Sequence, residues 1–221
     1  MQEVAAWRRP RLVAKGDPEA CQRWAAVRRT LAALPRGSVI LAEDECHLDL
    51  LPWVRATWIG RGERQRVLTP GKNQRRSLFG AVDVSCGTWW WQTARRANSA
   101  AFIRFLDHLV AAHPQAPALA VVLDNVIIHS SRAVQAWLLF HPQIQLCYGA
   151  CYCPHANPVE RIWGTLKRHL ANSPPPTMAG RLTQAATFFR QRTPEQMLHT
   201  AAPENAPWLP KHYGQNLWRA A

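Results

Sequence analysis

The sequence is short of acidic residues. Its 221 residues include 14 Asp and Glu against 27 Lys and Arg, which gives a formal net charge of +13. Such an excess of positive charge favours a polyanionic partner, meaning nucleic acid or an anionic membrane surface. Because acids are few, a carboxylate placed at an apolar strand stands out as a candidate for chemistry.

The chain also lacks long apolar runs. No stretch approaches the roughly 18 residues that a membrane-spanning helix requires, and residues 1–4 do not begin a signal peptide. These absences disfavour a membrane partner and favour a cytoplasmic, nucleoid-associated protein. Apolar residues still make up 48% of the sequence, which is enough for a core and excludes a disordered chain.

The six cysteines do not form paired C-x2-C knuckles. Cys147, Cys151, Cys153 and His155 are close in sequence, but their spacing is C-x3-C-x-C-x-H. A zinc-stabilised interaction module is therefore an alternative, whereas small apolar cysteines in a strand or loop are favoured. Without a secretory signal, a disulfide framework is disfavoured.

Apolar periodicity predicts a mixed α/β protein. The order is a strand, a two-stranded hairpin, a helix, a strand, a helix, a strand and then helices. A strand–helix–strand crossover indicates parallel neighbours with ligands at their carboxyl ends. We divide the chain into a basic lead-in with a helix (1–37), a catalytic core (38–172) and a C-terminal helical extension with a Pro/Trp-rich tail (173–221).

Two apolar runs end in acids. Residues 38–42 lead into Glu43, Asp44 and Glu45, and residues 118–123 lead into Asp124. If the two strands are parallel neighbours, Asp44 and Asp124 meet, and two close carboxylates call for a cation between them. Oxygen ligands favour Mg²⁺ or Mn²⁺. The alternative is that each acid closes its strand by accepting turn hydrogen bonds.

A third acid lies at a predicted helix start. In Asn157-Pro158-Val159-Glu160, Asn157 suits the N-cap, Pro158 the first turn and Glu160 a capping-box position. That account needs no chemistry. The same helix also carries three basic residues, Arg161, Lys167 and Arg168, so Glu160 lies beside a cationic surface.

Taken in order, these segments resemble one family. The set reads Leu-Ala-Glu43-Asp44-Glu45, then Leu123-Asp124-Asn125 with His129 after three intervening residues, then Tyr152-Cys153-Pro154-His155, Asn157-Pro158, Glu160-Arg161, Trp163-Gly164 and Leu166-Lys167. The segments Trp7–Arg11, Pro70–Asn73 and Ser77–Ala81 extend the similarity. The chain resembles the DDE transposases of bacterial insertion sequences, in the branch related to the mariner superfamily.

The resemblance implies an RNase H-like fold, with a mixed five-stranded sheet flanked by helices and extra C-terminal helices. It also implies two-metal DNA strand cleavage and strand transfer. The catalytic and metal-binding residues are then Asp44, Asp124 and Glu160, with two Mg²⁺ or Mn²⁺ ions. Glu45 competes with Asp44 for the first position, and Asp83 is a further competitor. Strand alternation allows only one of Asp44 and Glu45 to enter the site. The expected supporting residues are Glu45, Asn125, His129 and Asn157.

Double-stranded DNA, as transposon ends and target, is the expected partner of a homodimer. Residues 55–76 hold seven Lys and Arg with one acid, and the helix after Asn157 adds more. The predicted DNA-binding residues are Arg55, Arg61, Arg64, Arg66, Lys72, Arg75, Arg76, Arg161, Lys167 and Arg168. The run Trp89–Trp91 is interpreted as core and sheet surface rather than as a base-stacking platform.

Two other functions remain open. A catalytically inactive DNA-binding remnant of a transposase predicts salt-sensitive binding without Mg²⁺-dependent nicking, and an RNase H-like nuclease predicts cleavage of RNA–DNA hybrids. Position 44 for the first acid leaves no room for N-terminal helix-turn-helix modules. We therefore expect a catalytic part without its end-recognition region.

Overall fold

The computed structural model describes residues 15–210. The basic residues 1–14, which include the Trp7–Arg11 segment, and the end of the tail at 211–221 lie outside the described residues. The helices and strands are α1 (Ala20–Ala32), β1 (Val39–Asp49), β2 (Arg75–Asp83), β3 (Trp89–Ala94), α2 (Ser99–Ala112), β4 (Leu119–Leu123), α3 (Arg132–Leu139), β5 (Ile144–Tyr148), α4 (Pro158–His169), α5 (Met178–Arg190) and α6 (Pro194–Ala201).

The five strands form one mixed sheet in the order β3-β2-β1-β4-β5. The β1–β2 and β2–β3 pairs are antiparallel, whereas β1–β4 and β4–β5 are parallel. All five residues of β4 are buried, because the strand lies inside the sheet with helices on both faces. The predicted mixed architecture with parallel neighbours is therefore confirmed.

One strand boundary differs from the prediction. Strand β1 does not end at its acids but continues to Asp49, paired with β2 throughout. Its pairing with β4 stops earlier, at Ala42 and Val122. The apolar run 38–42 marks only the part of β1 that is flanked by strands on both sides and by packed helices. Beyond residue 42, pairing with β2 alone continues β1 through polar residues to Asp49.

The core has two halves, one on each face of the sheet. Helices α2 and α3 cover one face, where Phe79, Phe102 and Phe105 are fully buried. Helices α1, α4, α5 and α6 cover the other face around Trp163 and Trp208. Both side chains are about 1% exposed, and burying such large apolar surfaces supplies most of the driving force for folding.

The tryptophan run of β3 belongs to this packing. Trp89 meets Trp163 edge-on with ring centroids 5.2 Å apart. Trp90 points to the opposite face and contacts His113 at 4.5 Å between centroids. All three indoles of the run are partly buried. They form core and sheet surface, as predicted.

Between β1 and β2 the chain leaves the sheet as an extended loop, residues 51–74, which we call the arm. Its base is fixed by Asn172, whose side chain exchanges two hydrogen bonds of 2.9 Å with the backbone N–H and C=O of Arg55. At the other end, Asn73 accepts from the Leu51 N–H at 3.2 Å and donates to Asp49 at 2.9 Å. Within residues 15–210, no helix is long and apolar enough to cross a membrane.

Candidate active site

A cavity of about 310 Å³ brings three carboxylates together: Asp44 from the middle of β1, Asp124 just after β4 and Glu160 in the first turn of α4. Parallel pairing explains the first two. The β1–β4 register runs from Val39 opposite Leu119 to Ala42 opposite Val122, and continuing it by two residues places Asp44 opposite Asp124.

Asp44 is the most enclosed of the three, with 9% of its surface exposed. Its Oδ2 atom is buried and has no hydrogen-bond partner among residues 15–210. Burial, together with the nearby Glu160, Glu45 and Asp124 carboxylates, raises the pKa of Asp44 well above its ordinary value. A buried acceptor without a donor is a place where a cation stabilises the structure.

The other two carboxylates are more open. The Asp124 side chain is 48% exposed, and its Oδ1 accepts a 3.2 Å hydrogen bond from the Val126 N–H. Burial raises the pKa of Glu160, while the Lys167 ammonium acts in the opposite direction. The three acids do not form a group whose ligand atoms all lie within 4.8 Å of one another. Ligands shared between two ions about 3.5–4 Å apart need not lie that close.

Asn157 fixes Glu160 relative to β1. Its Oδ1 accepts from the Val159 N–H at 3.1 Å, which caps α4. Its Nδ2 donates to the backbone carbonyl of Glu43 at 2.8 Å, next to Asp44. A single side chain therefore joins the start of α4 to the strand that carries Asp44. In the same cavity, Asn125 donates to the Gly149 carbonyl.

Glu43 and Glu45 point to the opposite face of β1, because successive side chains of a strand alternate. There they meet His129, whose side chain is fully buried. The His129 Nε2 atom is 2.9 Å from Glu45 Oε1 and 3.8 Å from Glu43 Oε2. Burial opposes protonation, but hydrogen bonds to Asp124 and Glu45 and the charge of Glu43 outweigh it and raise the pKa of His129 to about 11.

Other sequence candidates lie elsewhere. Asp83 pairs opposite Leu41, and its carboxylate accepts from the N–H and hydroxyl of Ser85 at 2.7 and 2.6 Å, so it closes the β2–β3 turn. The four residues of the Cys147–His155 segment that the zinc alternative would need do not converge within residues 15–210. Within residues 15–210, the group close enough to share an ion is Glu43, Glu45 and His129. The described residues therefore do not support the zinc alternative.

Most of the predicted DNA-binding residues are exposed, on the arm and along α4. Three differ. Arg76 of β2 is partly buried. Arg75 forms a salt bridge with Asp49, with Nε and Oδ1 2.8 Å apart, so it already has an anionic partner. Lys167 is partly buried and influences the pKa of both Cys46 and Glu160, which places it beside the cavity.

No sequence pattern identifies two residues that form the apolar wall of the cavity. Trp24 of α1 and Trp208 after α6 both line it. The Trp208 indole N–H donates to the Ala156 carbonyl at 3.0 Å, which ties the C-terminal segment to the turn before α4. Neither residue lies in a recognisable motif, so only the tertiary fold could identify them.

Comparisons with known proteins agree on one family. The model of the DDE superfamily endonuclease family matches residues 39–182. The "Insertion element IS630 uncharacterized 39 kDa protein" of Shigella sonnei is 35% identical over 150 residues, covering 68% of this chain and 44% of that protein. The chain therefore spans less than half the length of this curated relative.

Solved structures of the Mos1 transposase show the same fold. The catalytic domain of the Mos1 mariner transposase matches with a TM-score of 0.60 and 15% identity, over 94% of this chain and 96% of that one. The Mos1 mariner paired end complex with Mn matches with a TM-score of 0.66 and 16% identity, over 94% and 64%. The RNase H-like fold is confirmed, and the chain belongs to the DDE superfamily endonuclease family.

Proposed function

We propose that this protein is the catalytic part of an insertion-sequence transposase that cleaves DNA strands and transfers them to a target. The observation that carries the proposal is the meeting of Asp44, Asp124 and Glu160 in one cavity, where a buried Asp44 oxygen lacks a partner within the part of the chain that the structure describes. The family match and the IS630 relative support the assignment.

The three acids fit divalent cations. They supply oxygen ligands alone, which is the donor set that Mg²⁺ and Mn²⁺ prefer. Mos1 structures have been solved with Mg and with Mn. Two such ions, when bound, activate a water or a 3′-OH as nucleophile and stabilise the leaving 3′ oxygen. Asp44, Asp124 and Glu160 are the residues that would hold them.

Other side chains position Glu160 and favour its ionised form. Asn157 keeps the first turn of α4 against β1, so that Glu160 faces the other two acids. Lys167 contributes positive charge beside Glu160, which favours the ionised carboxylate. Because the phosphodiester is itself the electrophile, no covalent protein–DNA intermediate is required.

DNA is the proposed substrate and target. The arm and α4 carry exposed arginines, and contacts to phosphates dominate the affinity of a protein for DNA. A Mos1 transposase paired-end complex contains the left transposon end. We expect the equivalent contact here to be made by Arg61, Arg64, Arg66, Arg161 and Arg168.

We also propose a homodimer on DNA. The arm exposes Val54, Trp58 and Leu68, with exposed fractions of 73%, 101% and 83%. Apolar side chains this open, on a loop anchored only at its base, are typical of a surface that a second chain covers. The mass of the complex on one DNA end, measured by analytical ultracentrifugation, tests this, with two chains per complex expected.

Cleavage assays test the catalytic assignment. The substrate is a labelled duplex carrying the terminal inverted repeat that flanks the gene, with an RNA–DNA hybrid of the same sequence in parallel. We expect Mg²⁺-dependent cleavage of the duplex, and a fall of at least about 100-fold in Asp124→Asn with unchanged DNA affinity, because a direct metal ligand matters at least as much as an outer-shell partner.

Asp107→Asn is the matched control, since Asp107 is an exposed acid on α2 away from the cavity. It should cleave like the parent chain. Full activity in Asp124→Asn would refute the ligand assignment. Inactivity of the parent chain with intact DNA binding would favour the inactive remnant, and preference for the hybrid would favour an RNase H-like nuclease.

A further inference from the structure

The β1–β4 register directs Asp124 toward Asp44, but the backbone hydrogen-bond ladder ends before it reaches either residue. The β1–β4 ladder stops at Ala42 and Val122, and the pairing of β4 with β5 stops at Leu123 and Tyr148. Asp124 is therefore the first residue beyond both ladders. Since two metal ions require a fixed separation of their ligands, some other contact must set the distance from Asp124 to Asp44.

His129 makes that contact. Its Nδ1 donates to the Asp124 backbone carbonyl at 3.2 Å and lies 3.4 Å from the Asp124 Oδ1. On the other side of the ring, Nε2 is 2.9 Å from Glu45 Oε1. Glu45 is the neighbour of Asp44 on β1. The imidazole thus spans the gap between the two strands just where their backbone pairing has ended.

The ring itself is held firmly. His129 is fully buried, and its centroid is 4.4 Å from that of Phe102 in α2. Its backbone carbonyl accepts from the Tyr148 hydroxyl at 3.0 Å, and its N–H donates to the Val126 carbonyl at 3.0 Å. A side chain with so few alternative positions can transmit the position of β1 to Asp124.

We propose that Glu45 and His129 are positioning residues that fix the Asp124 carboxylate relative to Asp44 and so set the affinity of the site for divalent cations. The inference rests on the proposed function, because it takes Asp44 and Asp124 to be metal ligands. It gives a role to the acid that competes with Asp44 in the sequence. Glu45 acts from the back of the strand, through His129, and touches neither metal nor DNA.

The test measures cation binding directly. Free Mn²⁺ is followed by electron paramagnetic resonance during titration of the DNA-free protein, and cleavage of the labelled duplex is measured over a range of Mg²⁺ concentrations. The variants are His129→Asn, which removes the link to Glu45, and the milder Glu45→Gln. His108→Asn, an exposed histidine on α2, is the matched control, and Asp124→Asn is the reference for a lost ligand.

We expect both positioning variants to weaken Mn²⁺ binding by about 10- to 100-fold, the range seen when partners of metal ligands are removed. The number of ions bound at saturation should stay the same, and high Mg²⁺ should restore cleavage. DNA affinity should remain near that of the parent chain in both variants. The melting temperature without metal should stay near the parent value in Glu45→Gln, and it should fall in His129→Asn, which removes a buried ring that faces Glu43. His108→Asn should change none of these quantities.

Three results would overturn the proposal: Mn²⁺ affinity within twofold of the parent in both variants, loss of folding in both, or the loss of one bound ion, which would make Glu45 and His129 ligands themselves. The proposed function fails separately. If Asp124→Asn binds Mn²⁺ and cleaves DNA normally, the ligand assignment is wrong. If Asp124→Asn fails while Glu45→Gln and His129→Asn behave normally, only the positioning role is wrong.

Discussion

At the scale of single residues, Asp44 combines burial with a negative charge. None of the described residues donates a hydrogen bond to its Oδ2, and three other carboxylates lie near enough to disfavour its ionisation. Such an arrangement destabilises the ionised, metal-free protein. It stabilises the protein once a cation is bound, so affinity for metal and stability of the fold are linked through this one side chain.

This linkage predicts a pH-dependent response to metal. The folded-state pKa of Asp44 is raised above its unfolded value, so the folded chain holds a proton that the unfolded chain loses. Without metal, Asp44 therefore lowers stability as pH rises through the interval between the two pKa values. Mg²⁺ competes with that proton, and its stabilising effect should grow over the same interval.

Thermal denaturation with Mg²⁺ and with a chelator, across a pH series, measures this effect. At a Mg²⁺ concentration about 100 times its Kd, the gain is expected to reach about 2.7 kcal/mol. Asp44→Asn should abolish it, and Asp107→Asn should retain it. A gain of the same size at every pH would show that Asp44 does not exchange a proton for the metal.

The sequence predicted residue identities better than residue environments. Asp44 and Asp124 follow from apolar runs that end in acids, and Glu160 from the family resemblance together with a helix start. The full burial of Glu43 and the Glu45–His129 contact could not be predicted, because they depend on which face of β1 each residue occupies. On that face Glu45 meets His129, which packs against Phe102, 57 positions later in the chain than Glu45.

At the scale of elements, α4 carries one acid of the site and depends on its N-cap. Asn157 both caps the helix and reaches the Glu43 carbonyl on β1. The cap stabilises the helix, and the second hydrogen bond orients it. These two effects are separable, because other helices of the chain have caps without any link to the site.

Asn157→Ala should lower the free energy of unfolding by about 1 kcal/mol, as for other N-caps, and should also reduce the rate of DNA cleavage. Thr193→Ala is the control, because Thr193 caps α6 through a capping box away from the cavity. It should lose similar stability with unchanged cleavage. Denaturant unfolding and the duplex assay provide the measurements, and equal cleavage in the two variants would remove the orienting role of Asn157.

Element boundaries show the limit of sequence patterns in another way. The helices and strands with clear apolar periodicity, such as α2 and β5, occur in the predicted order. Strand β1 was predicted too short, because its second half is paired with β2 yet contains Glu, Asp and His. A hydrophobic pattern indicates which residues are buried. It does not indicate a strand that is paired by hydrogen bonds but contains polar residues.

At the scale of the whole molecule, positive charge is distributed around a small negative centre. The arm and the exposed side of α4 carry arginines, whereas five of the acids gather in and behind the cavity: Glu43, Asp44, Glu45, Asp124 and Glu160. Under the proposed function, such a pattern would attract DNA broadly, and the three acids of the cavity would place the reacting phosphate. Affinity and catalysis would then depend on different residues.

Replacing Arg61, Arg64 and Arg66 together by Ala should lower the slope of log affinity against log salt by about 2.7, since each phosphate contact contributes about 0.9. Fluorescence anisotropy with a labelled duplex over a salt series measures it. Replacement of Arg95, Arg96 and Arg104, which are exposed outside the arm, is the control and should leave the slope unchanged. An unchanged slope in the arm variant would place the DNA elsewhere.

The three consecutive acids of β1 have a consequence for errors in strand pairing. A slip of one residue against β2 exchanges the two faces of a strand. Here it would bring Glu43 or Glu45 into the cavity in place of Asp44 and turn Asp44 toward His129. The cavity would keep a carboxylate, but on a side chain one methylene longer. A mispaired strand would therefore place the same charge in the cavity and would differ only in the length of the side chain that carries it. Under the proposed function, the geometry of metal binding is the property that would distinguish the correct register.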